Sequence, residues 1–429
     1  MSLNKEQELA IQCVKEKKNL FITSQGAGCG KTFLLNVIID KFGSFWGFNK
    51  NVAVTATTGV AALLLKGGRT INSWASICKG ESSVETLYKN SMKSNAKIRW
   101  KKVDILIIDE ISLMSPSLFD KLEELARLAR NNDKPFGGIQ LIVSGDWLQL
   151  PTINNSGYAF QSNTWNKCIH ETIYLKQIMR QKDPLFQRVL NSIRVGDIND
   201  EVKRVLLSRV NKTFDHTKGI IPTKLFCINS DIDRINSNEL YKLSRMGHII
   251  KYYPIQWSSK SSDNLKYNKY LKNCNLVEKL ELTIGCQVML LTNLSVEDEL
   301  VNGSRGVVDS FNLNGKPNVK FLNNMIIEID YKNCDIEIDN KIIGTFKQIP
   351  LKLAYASSIH KMQGSTLDSV ILNLENVFEV SQGYVGLSRV KDLKSLYIEN
   401  INFDKLTVNS DALEFYINLD NKKNSEINH

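Results

Sequence analysis

The chain has 429 residues, of which 42% are hydrophobic and 23% charged, an ordinary globular composition with room for two or more compact units. No run of about eighteen apolar residues marks a transmembrane helix, and the N-terminus lacks the basic-then-apolar pattern of a secretory signal. The net charge of +10 fits a polyanionic partner, whose phosphates lysine and arginine neutralise with release of counterions, although a merely soluble basic protein has the same balance.

In chain order, NLFIT (Asn19–Thr23) reads as a short apolar strand entering a glycine-rich loop, SQGAGCGKT (Ser24–Thr32). FLLNVIIDKF (Phe33–Phe42) has helical spacing, and NVAVTAT (Asn51–Thr57) is the next strand. VDILIID (Val103–Asp109) and IQLIVSGD (Ile139–Asp146) are continuous apolar runs ending in Asp, as in parallel strands covered on both faces. Alternating strand and helix predicts a doubly wound α/β unit. Further strands recur at TKLFCIN (Thr223–Asn229), SVILNL (Ser369–Leu374) and KSLYIEN (Lys394–Asn400). Between them, from Leu282 to Asp339, the pattern turns β-rich, with Asn302-Gly303 as a hairpin signal. SSKSSDNLKYNK (Ser258–Lys269) is a Ser/Lys/Asn-rich approach to it. Eight cysteines are scattered from Cys13 to Cys334 without a C-x-x-C, which fits a reducing intracellular compartment and no zinc site.

The loop Gly26, Ala27, Gly28, Cys29, Gly30, Lys31, Thr32 stands between a strand and a helix, the setting a phosphate-binding loop needs. Backbone N–H groups at the helix start would face phosphates, Lys31 would reach the β- and γ-phosphates, and Thr32 would ligate Mg²⁺. Gln25 holds the place where the usual pattern has its first glycine, and a glycine-rich turn with a chance lysine is the bland alternative. Asp109-Glu110, at the end of a buried strand, supplies what that alternative lacks. Asp109 can hold Mg²⁺ through its water shell and Glu110 can polarise an attacking water, although an acidic helix start is a common plain role for such a pair. Together the two motifs predict ATP or GTP hydrolysis.

Four later stretches go beyond a generic ATPase: EISLMSPSLFDKLEELARLAR (Glu110–Arg130), GGIQLIVSGDWLQLP (Gly137–Pro151), ASSIHKMQGSTLD (Ala356–Asp368) and GYVGLSR (Gly383–Arg389). In this order they resemble the Pif-type (petite-integration-frequency) family of superfamily-one DNA helicases, relatives of the RecD and Dda helicases. The resemblance implies an α/β fold of two RecA-like P-loop domains with ATP and Mg²⁺ between them. It places the first at 1–178 with a small wedge insertion at about 75–100, and the second at 179–250 and 340–400. A small β-barrel insertion at 251–339 and a C-terminal segment at 401–429 complete the expectation. It also implies that Gln7 in LNKEQ reads adenine, that Gln149 senses the γ-phosphate, that Arg180 and Arg389 are arginine fingers, and that Gly364 contacts phosphate through its backbone. Without the family, a surface or interdomain ion pair is the plainer role for either arginine.

Translocation on a single strand needs phosphate contacts and ring faces that accept any base. The candidates are Thr57, Thr58, Asn72, Ser73 and Trp74 in the segment after the second strand, Trp147, and Ser358, His360, Lys361 and Thr366 in the later motif. The family usually has His-Ser-Phe at Asn72-Ser73-Trp74, Phe at Trp147 and Ala at Gly386. Core packing is the competing role for both tryptophans. The basic run KNSMKSNAKIRWKK (Lys89–Lys102) reads as a solvated helix. The expected activity is ATP-dependent 5′→3′ unwinding by a monomer acting on single-stranded DNA and 5′-tailed duplex, away from membranes. G-quadruplexes and RNA–DNA hybrids are substrates among which the sequence does not choose. A nucleotide-gated single-strand clamp and a RecD-like subunit of a larger complex are the alternatives.

Overall fold

The computed structural model describes residues 3–43, 51–77, 80–93, 96–152, 155–214, 220–228, 232–260, 279–292, 294–295, 298, 300–338 and 341–427. Most of the Ser258–Lys269 approach lies outside them. Six strands form the first sheet: β1 (Leu20–Ser24), β2 (Val52–Ala56), β3 (Arg69–Thr70), β4 (Ile105–Asp109), β5 (Gln140–Ser144) and β6 (Glu171–Leu175). They lie in the order β3-β2-β4-β5-β1-β6, and every pairing is parallel. β1, β4 and β5 are buried along their whole length, which is why their sequences do not alternate. Because β4, β5 and β1 are neighbours, their C-terminal ends deliver Asp109, Ser144 and Ser24 to one edge, the edge where open parallel sheets bind ligands.

The helix Pro116–Arg130 shows how the sequence covers this sheet. Ser115 caps it by accepting from the Leu118 N–H, Pro116 starts it, and Asn131 ends it in the left-handed region. Phe119, Leu122, Leu125, Ala126 and Ala129 recur at helical spacing and are buried against the sheet.

A second parallel sheet holds Ala356–Ser358, Thr223–Phe226, Val370–Leu374 and Leu396–Ile401 in that order. Its core contains Phe186, Leu225, Leu372 and Leu387, and reaches Ala27 and Leu150 from the first half of the chain. The two halves therefore meet at the glycine-rich loop. Among the described residues, antiparallel strands between Lys251 and Leu353 form three further sheets, of five, three and two strands, and those of five and two share a core of Tyr253, Leu282, Val288, Val308, Val319 and Leu351. This β-rich part starts earlier and runs later than the Leu282–Asp339 texture.

Asn302-Gly303 does make a turn, closed by Ser304 N–H donating to Val301 O at 2.8 Å. Only Gly303 takes a positive φ there, +97°, so the turn follows the type II pattern rather than the two-glycine-like hairpin pattern. The Lys89–Lys102 run lies in helices Val84–Lys93 and Ala96–Lys102. It is anchored more deeply than a solvated helix: Trp100 is buried, and its ring meets Trp74 edge-on at 4.5 Å.

Candidate active site

The loop between β1 and the Lys31–Phe42 helix turns on Gly28 (φ +83°) and Gly30 (φ +84°). These are the positions a side chain would strain. A Cβ at Gly28 would also sit 2.4 Å from Arg180 Cβ, so close approach adds a second reason for glycine. Lys31 Nζ donates to Ser24 Oγ at 2.7 Å, and Ser24 Oγ donates to Gly26 O at 2.8 Å. Gln7 is buried beside the loop, its Nε2 3.3 Å from where a Gly30 Cβ would stand. Its Oε1 accepts from the Asn4 N–H, in a capping box that fixes the side chain.

Asp109 and Glu110 lie at the end of β4. Asp109 is buried, and burial pushes its carboxyl above the usual range. Burial, and then the neighbouring Asp109 charge, push Glu110 up to about 7. Glu110 takes the left-handed conformation (φ 53°), which turns the chain out of the strand. Two contacts hold it: Thr57 Oγ1 donates to its carbonyl at 2.8 Å, and Gln363 Nε2 donates to its carboxylate at 3.1 Å.

From the second half come the two arginines. Arg180 donates to Ser388 O at 3.0 Å and to Gly364 O at 3.2 Å, while its N–H and that of Met179 reach Gly28 O. Arg389 is buried and donates to the carbonyls of Val385, Met362 and Ser365 and to Ser388 Oγ. Neither guanidinium pairs with a carboxylate among the described residues. Burial lowers Arg180 to about 10, and burial followed by the Arg180 charge lowers Arg389 to about 9. Arg180 is partly open to solvent, so the shift weighs more at Arg389.

Sequence reasoning missed the charged centre beneath the loop. Asp146 accepts from Arg194 at 2.8 Å, from Gln149 Nε2 at 3.0 Å and from the Tyr416 hydroxyl at 3.0 Å. Burial would raise its pKa, but the charges of Arg194 and Lys31 hold it below the usual carboxylate range. Arg194 also donates to Ser24 O at 3.0 Å, tying the helix Pro184–Arg194 to the loop. Gln149 is thus seated on Asp146. Asp146 was legible in the GDWLQLP segment, whereas nothing local marks Arg194 or Tyr416.

The residues expected to contact DNA differ widely in exposure. Trp74 and Trp147 are corrected to core residues. They are 4% and 0% exposed, and the Trp147 ring is surrounded by Phe21, Tyr158, Phe160, Trp165 and Phe415. Ser358 is buried too, its Oγ accepting from Lys361 N–H, and Thr58 caps the Gly59–Leu64 helix. Asn72 and Ser73 are half-buried on the Ile71–Ala75 helix, and Thr366 is half-buried beside Gly303. His360 and Lys361 are exposed. His360 pairs with Glu379 at 2.6 Å and stacks on Phe378, whose ring is 64% exposed and was not foreseen.

Comparison with known proteins places this geometry. The model of the PIF1-like helicase family matches residues 2–204, and that of the DNA helicase Pif1 2B domain matches residues 267–311. Protein 030L of Invertebrate iridescent virus 6 is 37% identical over 96% of this chain and 94% of its own. The ATP-dependent DNA helicase PIF1 of Danio rerio is 37% identical over 96% of this chain, which spans only 63% of that helicase. The crystal structure of Pif1 helicase from Candida albicans superposes with a TM-score of 0.82 at 33% identity, covering 98% of this chain and all of that one. Pif1 from Bacteroides sp in complex with ADP-AlF4 gives 0.82 at 25% identity, covering 98% of each chain. Bacteroides Pif1 bound to ssDNA gives 0.65 at 27%, covering 99% and 98%. With its motifs, its helicase α/β fold and its relatives in agreement, the chain belongs to the PIF1-like helicase family.

Proposed function

We propose that the protein is a Mg²⁺- and ATP-dependent DNA helicase that moves 5′→3′ along a single strand and opens 5′-tailed duplex. The observation that carries this is the pair Arg180 and Arg389: two guanidiniums beside a phosphate loop, held only by carbonyls and a hydroxyl, with no acidic partner among the described residues. Guanidiniums without an ion-pair partner would attract the oxygens of a polyphosphate. Residues 1–178 would carry the loop, 179–250 and 340–400 the arginines, with the β-rich insertion between them.

The residues fit the magnesium ion as well. Asp109 and Glu110 bring two carboxylates near one lysine, and Thr32 with Asp109 offers the oxygen donors Mg²⁺ prefers. The ion would neutralise charge on the β- and γ-phosphates. Lys31 and the N–H groups of the loop bind the phosphates, Glu110 orients the attacking water, and the arginines stabilise charge that grows on the transferred group.

Glu110 also joins this chemistry to the strand. Thr57 and Gln363, its two partners, lie in the two segments proposed to touch DNA, and Gln363 is next but one to Lys361. A shift of either segment on DNA therefore moves the residue that positions the water. Lys31→Ala is expected to abolish DNA-stimulated ATP turnover while leaving single-stranded DNA binding in place. Retained turnover in that variant would remove the assignment.

A further inference from the structure

Residues 364–368 lie between the two arginines of the candidate site and the β-rich insertion. Towards the arginines, the Gly364 carbonyl accepts from Arg180 at 3.2 Å and the Ser365 carbonyl accepts from Arg389 at 3.2 Å. The Leu367 N–H donates to Arg389 O at 2.9 Å, so the segment holds that arginine's backbone as well. Towards the insertion, Arg305, the first residue of the strand Arg305–Phe311, donates to both carboxylate oxygens of Asp368. Gly303 packs so closely that a Cβ there would stand 2.8 Å from Thr366 O and 3.3 Å from Ser365 Cβ. Arg305 is buried, and its other donors go to Ile221 O, Thr223 Oγ1 and Ser369 Oγ. A two-pronged arginine–carboxylate pair fixes direction as well as distance, and moving Asp368 away would leave a buried cation unpaired. The insertion therefore fixes the path of residues 364–368, and the carbonyls on that path aim the two guanidiniums. Arg180 makes only two side-chain hydrogen bonds among the described residues, which leaves N–H groups over for a phosphate.

Resting on the function proposed above, we propose that Arg305 and Asp368 are positioning residues for ATP hydrolysis, through which the β-rich insertion sets where Arg180 and Arg389 stand. Neither residue touches the nucleotide in this role. The insertion then supports the chemistry from outside both parallel sheets.

The test compares wild type, Asp368→Asn and Gly303→Ala as full chains. Asparagine keeps the shape of Asp368 and removes the charge that holds Arg305. Alanine at Gly303 pushes on Thr366 and leaves the ion pair in place. ATP hydrolysis with Mg²⁺ and saturating single-stranded DNA gives kcat and KM. In both variants kcat should fall about ten- to a hundredfold, the scale on which a displacement of about 1 Å acts, with KM for ATP within about twofold of wild type. Binding of ADP should be unchanged, while binding of ADP with aluminium fluoride, a mimic of the transferred phosphate, should weaken along with kcat. A merely structural role would weaken both ligands alike. Equal weakening of the two ligands, or a kcat within about twofold of wild type in a variant that folds, overturns the proposal. Loss of the folded state by both variants, read as the melting temperature, overturns it too, since the contact would then serve stability alone. If wild type hydrolyses ATP and the variants match it, the function proposed above stands and this inference alone falls. If wild type does not hydrolyse ATP, both fall together.

Discussion

Gln25 shows how much a single motif position can mislead. The backbone N–H of Gln25 donates to Leu175 O on β6 at 2.9 Å, and its φ is not positive. The loop takes its left-handed turns at Gly28 and Gly30, so the missing glycine was not needed. Gly386, where the family usually has Ala, has an equally local reason. A Cβ there would stand 3.1 Å from both Ile359 Cδ1 and Leu372 Cδ2, tight enough that those neighbours would have to give way. Lys31, Asp109 and Glu110 stood out because phosphate chemistry calls for those residue types at those spacings, whereas Arg180 and Arg389 were picked out only by the family resemblance. Trp74 and Trp147 were not, because an aromatic ring serves a core and a base equally well. Only the partners decide, and for Trp147 they include Phe415 from the far end of the chain. Phe378 is the better stacking candidate: its ring is exposed and lies along His360, beside Lys361. Phe378→Ala should weaken single-stranded DNA binding by about 1–3 kcal/mol in a titration at fixed salt, the range for one base–aromatic stack. Equal affinity would take Phe378 off the DNA track.

Among the elements, the fully buried strands β1, β4 and β5 were readable as apolar runs. β6 and Ala356–Ser358 were not singled out. The first half of β6 is only partly covered, and Ala356–Ser358 is three small residues long, so neither has the unbroken apolar signal. The helix Ser410–Ile427 was the largest surprise. Tyr416 from that helix enters the first core beneath the loop. Its single proton goes to Asp146, so Thr23 Oγ1 (2.6 Å) and Trp147 N–H (3.2 Å) must both donate to the phenol oxygen. The Arg194 guanidinium also lies 4.7 Å above its ring. Tyr416→Phe leaves two buried donors unsatisfied and Asp146 short of one. Chemical denaturation followed by tryptophan fluorescence should show a loss of about 1–3 kcal/mol. An unchanged midpoint would mean that the hydroxyl network is incidental.

At the scale of the whole molecule, the two halves meet where Arg180 bonds Gly28 and Tyr384 bonds Ala27. The β-rich insertion is tied to the second sheet by Arg305, a buried residue that pairs with Asp368 and donates to Thr223 Oγ1 and Ser369 Oγ. Gly303 is held close to the Thr366 carbonyl, where a Cβ would come within 2.8 Å. The NGSRG stretch thus fixes the insertion against the motif that carries His360 and Lys361, a role its sequence suggested only as a turn. Long-range ties of this kind leave no local pattern, because each needs two segments that the fold alone brings together. With the insertion fixed to the second sheet, the proposed opening and closing about the nucleotide would carry the second half as one grip on the strand. The most direct test of this reading is strand separation by the purified chain with ATP and Mg²⁺, on duplexes that differ only in which end carries the single-stranded tail. The 5′-tailed duplex should be unwound and the 3′-tailed one left paired; unwinding of the 3′-tailed duplex alone, or of both equally, would contradict it.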